Sequence, residues 1–161
     1  MTTATKKKSA PLLKDSNASS MISIYTSASS SETKNHREIL PSVLISRVRK
    51  GLAISELEEL HKALEVPMEK LAPMIGVSLS TLHRRKAEKN LSTAESERVV
   101  RFARLYGKAV DVLETTENAR LWLKSPQVGL SGETPLDYAL TEIGAREVED
   151  LLGRIQYGVY S

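Results

Sequence analysis

The longest regular pattern in the chain runs over residues 92–114 and limits what the rest can be. Ser92 and Glu95 have capping-box spacing, in which the serine hydroxyl and the glutamate carboxylate each take a backbone N–H of the first helical turn. Val99, Phe102, Ala103, Tyr106, Ala109, Val110 and Leu113 then follow at helical spacing, and Val100 and Val112 widen the stripe. A helix apolar over so much of its surface needs cover from two sides. We expect it to span residues 93–114, to join two halves of the chain and to line a homodimer seam.

Composition points the same way. Of 161 residues 40% are hydrophobic but only 4% aromatic, so the core must be aliphatic. That favours packed helices over an aromatic-rich sandwich, and the predicted fold class is all-α. With no cysteine, disulfides and thiolate metal sites are excluded, which suits a reducing cytoplasm. No apolar run approaches the ~20 residues that span a bilayer, so no membrane partner is expected. The lysines at Lys6, Lys7 and Lys8 precede no apolar stretch of the kind a signal peptide needs. A net charge of +3 is too small to name a nucleic-acid partner, so where the cations sit matters more.

Residues 1–37 are rich in serine, threonine and lysine and read as a low-complexity, mostly disordered tail. One apolar stretch, Met21-Ile22-Ser23-Ile24-Tyr25, can pair as a short strand or pack on a neighbour. The Lys6-Lys8 cluster reads as a solvated tail with weak attraction to DNA. A first folded unit is expected over residues 38–114. Pro41 starts a helix that groups Val43, Leu44 and Val48, leaves Arg47, Arg49 and Lys50 outside, and stops at Gly51. Ser55 and Glu58 have capping-box spacing, and Leu57, Leu60, His61 and Leu64 form the inner face of a second helix closed by Val66-Pro67. Glu56, Glu58 and Glu59 read as its solvated first turn.

Residues 68–86 have the demands of a helix-turn-helix. Ala72 supplies the small residue at the helix crossing, and Gly76 the positive φ of the turn. Leu71, Ile75, Val77 and Leu82 fill the wedge between the helices. Ser78 caps the second helix and leaves Ser80, Thr81, His83, Arg84, Arg85 and Lys86 outward. Hydroxyls near the start of such a helix can meet phosphates or bases, and arginine can bridge guanine or phosphate. An ordinary helical hairpin with a solvated basic face is the competing reading. Pro73 departs from the pattern, because its ring removes a donor and crowds the Glu69 carbonyl. Either the first helix starts late, with Pro73 in its first turn, or it is kinked there.

The remaining residues, 115–161, form a second unit. Residues 118–123 read as a short helix ended by Ser125-Pro126, and Trp122, the only tryptophan, anchors the unit. Residues 127–132 are a loop. Thr134-Pro135 opens another helix that carries Leu136, Ala139, Leu140 and Ile143 and closes at Gly144. A last helix follows at once, with Val148, Leu151, Leu152 and Ile155 on one stripe. The chain then runs into Gln156-Tyr157-Gly158-Val159-Tyr160-Ser161. Two tyrosines and a valine are unusual in a fraying terminus, so this tail either folds back on its own unit or docks into another protein.

Trp122-Leu123, Pro126, Leu130, Gly132, Thr134-Pro135-Leu136-Asp137, Gly144-Ala145, Val148 and the run from Leu151 to Tyr160 together resemble the C-terminal toxin-binding domain of the Xre/MbcA/ParS-type antitoxins. The half before them resembles the Xre-type DNA-binding domain of the same proteins. The resemblance implies a type II antitoxin of a RES–Xre system. Its partners are a cognate RES-domain toxin that consumes NAD and operator DNA, and it acts as a homodimer within a larger complex, with no cofactor. It further implies that the C-terminal region closes the toxin's active site and that the complex represses its own promoter. Carried onto this chain, Trp122, Arg154, Tyr157, Gly158, Val159, Tyr160 and Ser161 face the toxin. Beyond the resemblance, we expect the Ser161 carboxylate to mimic an anionic group of the nucleotide. Ser78, Ser80, Thr81, His83, Arg84, Arg85 and Lys86 face the operator.

Two other classes compete. A stand-alone helix-turn-helix repressor would use the C-terminal half only to dimerise or to sense a ligand, and it predicts no neighbouring toxin gene. An enzyme is poorly supported: His36, His61 and His83 are scattered, and no glycine-rich phosphate loop or metal-ligand cluster is present in the sequence.

Overall fold

The computed structural model describes residues 19–27 and 40–158. The expected disordered segments on either side of residues 19–27, with the Lys6-Lys8 cluster, lie outside the described residues, as do Val159, Tyr160 and Ser161. The described elements are helices: α1 Met21–Ser27, α2 Pro41–Lys50, α3 Ile54–Leu64, α4 Met68–Met74, α5 Leu79–Glu88, α6 Thr93–Leu113, α7 Thr116–Lys124, α8 Pro135–Tyr138 and α9 Glu142–Gln156. A single 3₁₀ turn, Val128–Leu130, falls in the expected loop. Among the described residues there is no strand beyond one isolated bridge, between Ala53 and Asn90.

Helix α6 is the axis. Its capping box forms as expected, the Ser92 hydroxyl accepting the Glu95 N–H while the Glu95 carboxylate accepts the Ser92 N–H. Val99, Phe102, Ala103, Leu105, Tyr106, Gly107 and Ala109 are buried, an arc of about 200° at 100° per residue. α1, α7 and α9 pack along that arc. Of the apolar stripe expected to line a homodimer seam, Val99, Phe102, Ala103, Tyr106 and Ala109 are thus taken up inside the subunit, while Val100, Val110, Val112 and Leu113 stay half-buried.

The stretch Met21–Ser27 is a helix, not a strand, and it does pack on a neighbour. Met21 is fully buried and its N–H donates to Glu56 Oε2 at 2.8 Å. Arg47 of α2 donates to the other Glu56 oxygen at 2.9 Å and to the Ser19 carbonyl at 3.1 Å. Two expectations fail here for one reason. Glu56 is buried rather than part of a solvated turn, and Arg47 is half-buried rather than outside, because each satisfies the other across α1. At its far end α1 lies so close to α6 that a Cβ at Gly107 would collide with the Tyr25 carbonyl.

Ser55 does not cap α3. The helix begins at Ile54 with Ala53 at the N-cap, and no side-chain cap forms. The Ile54 N–H instead donates to the Lys89 carbonyl at 2.9 Å, so a neighbouring strand-like segment serves the entry. At the other end Arg120 of α7 donates to the Ala63 carbonyl at 2.7 Å and pairs with Glu65 at 2.8 Å. It thereby closes the α3 terminus from the C-terminal half. His61 is half-buried, its Nδ1–H donating to the Val66 carbonyl at 2.6 Å.

The boundary between the last two helices also moves. α8 stops at Tyr138, and Thr141 caps α9 by accepting the Gly144 N–H at 3.0 Å. Gly144 is thus in the first turn of α9 and does not end the helix before it. It is needed there because a Cβ would strike the Tyr138 carbonyl. The shift leaves Leu140 and Ile143, expected to continue that earlier helix, outside it and exposed at 45% and 78%.

Candidate functional site

The helix-turn-helix pair is built by its turn. Gly76 sits at φ +81°, and the N–H groups of Gly76 and Val77 return to the carbonyls of Pro73 and Ala72, both at 2.9 Å. This pattern closes the C-terminus of α4 with a left-handed residue. Arg98 of α6 seals the same end by donating to the Ile75 carbonyl at 3.1 Å. Ala72, Leu71, Ile75, Val77 and Leu82 are buried between the helices. Pro73 falls in the last turn of α4, neither in its first turn nor mid-helix. It and Glu69 are exposed, where water can serve the Glu69 carbonyl.

Ser78 caps α5 by accepting the Thr81 N–H at 3.2 Å, and its hydroxyl lies 3.0 Å from that of Ser80 and 2.9 Å from that of Thr81. Three hydroxyls thus cluster at the start of the helix, and Ser78, Ser80, His83, Arg84 and Lys86 are exposed. Thr81 is half-buried, and Arg85 also departs from the outward expectation. It gives two hydrogen bonds to Glu95, of 2.8 and 3.0 Å, and a third to Glu88 at 2.6 Å. Its side chain is only 17% exposed, and those carboxylates, Glu95 first, hold its guanidinium even more firmly protonated. Burial alone would push the Glu95 carboxyl up, but the bonds from Arg85 and Ser92 reverse that and hold it below the ordinary glutamate value. Arg85 therefore ties α5 to α6. Glu95, which serves both the cap and this pair, is a positioning residue that the sequence reading gave only one role.

At the other end of the molecule two arginines of α6 hold α9. Arg101 pairs with Glu142 at 3.0 Å and also donates to the Leu140 carbonyl at 2.9 Å. Arg104 pairs with Glu149 at 2.6 Å and with Glu142 at 3.3 Å. Burial works against the Glu142 charge, but the two guanidinium groups more than offset it and keep its carboxyl below the usual range. Val148 and Leu152 are buried, with Leu151 and Ile155 half-buried, so the expected stripe faces the core. Trp122 is half-buried and packs on the same core, in line with an anchoring role. Arg154 is half-buried, Tyr157 is 79% exposed beyond the end of α9, and Gly158 turns the chain at φ +66°. The tyrosine does not fold back onto its own unit.

Residues 43–104 match a family model described as the antitoxin Xre-like helix-turn-helix domain, and residues 108–158 one described as the antitoxin Xre/MbcA/ParS C-terminal toxin-binding domain. A protein named antitoxin Xre from Yersinia enterocolitica is 31% identical over 122 residues, which cover 74% of this chain and 82% of that protein. The chain belongs to the Xre/MbcA/ParS-type antitoxins. An antitoxin Xre of Photorhabdus laumondii is 31% identical over 116 residues, with 71% of this chain and 78% of the relative covered. A Sphingobium protein named Prs ADP-ribosylating antitoxin is 30% identical over 127 residues, with 73% and 80% covered.

The antitoxin thus carries a helix-turn-helix domain and a toxin-binding domain. The two matched regions meet inside α6, between Arg104 and Lys108, where α1 crosses at Gly107. α1 itself lies outside both. Among the described residues no group of three or more His, Cys, Asp or Glu could hold a metal, and no helix is long and apolar enough to cross a membrane. The exposed outer face of α9, with Ile143, Glu147 and Asp150, escaped the sequence reading because Ile143 was assigned to the preceding helix. The signal was present, since these positions repeat at helical spacing opposite the apolar stripe.

Proposed function

We propose that this antitoxin neutralises a RES-class, NAD-consuming toxin by covering its active site with the C-terminal region, and that it binds operator DNA through α5 to repress its own promoter as a homodimer. One observation carries the first half: in a toxin-binding domain, Tyr157 projects from the end of α9 with 79% of its surface exposed. An exposed aromatic on a glycine hinge fits a pocket on another protein, where such side chains dominate interface energies. In the sequence, Val159, Tyr160 and Ser161 follow it. The Sphingobium relative supports the toxin class by its name, because an ADP-ribosyl group is drawn from NAD. For the operator, Ser78, Ser80, Thr81, His83, Arg84 and Lys86 are the contacts, and Arg85 sets the angle of the helix.

The test is deletion from Tyr157 onward with co-expression of the toxin. Cells should lose protection. Full protection by the shortened chain would remove the tail from the inhibitory role.

A further inference from the structure

Helix α1 lies outside both matched regions, yet it is tied to each of them. At its start the Ser19 carbonyl accepts from Arg47 of α2 at 3.1 Å, and the Met21 N–H donates to Glu56 of α3 at 2.8 Å. One turn on, the Tyr25 backbone lies so close to Gly107 that only glycine fits there. Tyr25 is half-buried. Burial raises the pKa of its hydroxyl, and the charges of Arg104 and Glu149 both act on it, so the ring lies beside the pair that holds α9. The network continues from Glu56 towards α5. The Leu91 N–H donates to the Leu52 carbonyl at 2.8 Å and the Ile54 N–H to the Lys89 carbonyl at 2.9 Å, so the corner between α2 and α3 pairs with the segment that ends α5. The ties from Arg120 to the Ala63 carbonyl and from Lys70 to Asp137 also join the two halves, but they involve neither Glu56 nor Glu149.

We infer that α1 is a coupling strap between the two halves, through which a toxin held at the C-terminal region and a promoter held at α5 strengthen each other's binding. The inference rests on the reading of those two sites given above. The strap has two discrete states. α1 has seven residues, and so short a helix does not persist alone in water, so it is helical only while docked. Its departure takes the fully buried Met21 out of the core and leaves the buried Glu56 carboxylate to Arg47 alone. It also deprives Arg47 of the Ser19 carbonyl, and α2, which buries no residue of its own, depends on that anchor. A toxin that fixes α9 fixes the Arg104–Glu149 pair beside Tyr25 and so favours the docked state. Docked α1 orders the corner that positions α5, and a promoter that meets a site already ordered binds more tightly. By linkage the promoter strengthens toxin binding by the same factor.

The experiment measures promoter affinity of the full-length antitoxin with and without a saturating amount of the toxin of its own operon, which carries an inactivating substitution. In the wild type the toxin should tighten promoter binding about tenfold. Hydrogen exchange at the α1 amides should slow when both ligands are bound. Met21→Asp puts a second carboxylate beside buried Glu56 and should undock α1. It should bind promoter alone and toxin alone within about threefold of the wild type, while the tightening falls below about twofold. Met21→Leu keeps the burial and should keep the tightening. If circular dichroism shows that Met21→Asp loses more helix than α1 contains, Tyr25→Ala carries the same expectations. Full tightening in the undocked variant overturns the inference, as does a loss in Met21→Leu equal to that in Met21→Asp. A folded variant that loses either single affinity outright makes α1 a mere support and overturns it too. A wild type that binds both ligands without tightening ends the inference and leaves the proposed function standing. A wild type that fails to bind toxin or promoter removes the reading on which the inference rests.

Discussion

α5 and α9 are both amphipathic helices with one face in the core, but they are moored in opposite ways. α5 reaches out with an arginine of its own to Glu95 of α6, whereas α9 is seized by two arginines, Arg101 and Arg104, that α6 sends to it. The direction of mooring decides what is left for the outside. On α5 one cation is taken up internally and His83, Arg84 and Lys86 remain. On α9 the acids of the inner side are matched, and Glu147, Asp150 and Arg154 remain. A charged residue is thus defined by who holds it, and the holders that tie each helix to α6 are Glu95 for Arg85 and Arg101 and Arg104 for Glu142 and Glu149.

The largest effect should come from cutting the single mooring of α5. Glu95→Ala removes the return arm of the capping box and leaves the scarcely exposed Arg85 with Glu88 alone. The loss of a cap and of a largely buried pair together should cost about 3 kcal/mol, read by urea denaturation. The pH dependence follows from the same group. The folded Glu95 carboxyl lies below its ordinary value of 4.5, so its contribution is present above that pH and is lost as the pH falls through the lower, folded value. Stability of the wild type should therefore decline from about pH 4.5 downward, and Glu95→Gln should flatten that decline. An unchanged acid profile would mean that the pair does not hold the charge in solution.

Gly107→Ala comes next. The new methyl group meets the Tyr25 carbonyl, so α1 must lift or α6 must bend. Overpacking of this kind costs about 1–3 kcal/mol. Hydrogen exchange should show the loss chiefly at α1 and at the Met21 amide bonded to Glu56. Smaller again is Arg101→Ala. Because Arg104 still holds both Glu142 and Glu149, a loss of about 1 kcal/mol is expected. A penalty as large as that of Glu95→Ala would erase the distinction between one mooring and two.

These pairs also mark how far the sequence could be read. The caps at Ser92, Ser78 and Thr134, the turn at Gly76 and the wedge around Ala72 are all local, completed within a few residues, and they form as their spacing predicts. What failed was decided at a distance. Ser55 lost its capping role because Ile54 found a carbonyl at Lys89, and Glu56 went inside because its donor, Met21, lies 35 residues upstream. Arg85 looked like its neighbours until Glu95, ten residues on, came within reach. The break between α8 and α9 depended on the Tyr138 carbonyl lying where only a glycine fits. Each turns on a partner that spacing within one helix cannot reveal.

The smallest stability effect should accompany the clearest functional one. Arg84 makes only an exposed contact with Glu88 at 3.7 Å, so Arg84→Ala should change stability by less than about 0.5 kcal/mol. If Arg84 and Lys86 meet phosphates, replacing either by alanine should weaken binding to the promoter fragment and lower the slope of log affinity against log salt by about 1. Arg85→Ala should behave differently. It should weaken binding through misplacement of α5 while leaving that slope unchanged, because its charge is already matched by Glu95 and Glu88. A mobility-shift series at three salt concentrations separates the two. If Arg85→Ala lowers the slope as much as Arg84→Ala does, Arg85 leaves its carboxylates to reach DNA, and the difference between the moorings of α5 and α9 is one of circumstance and not of design.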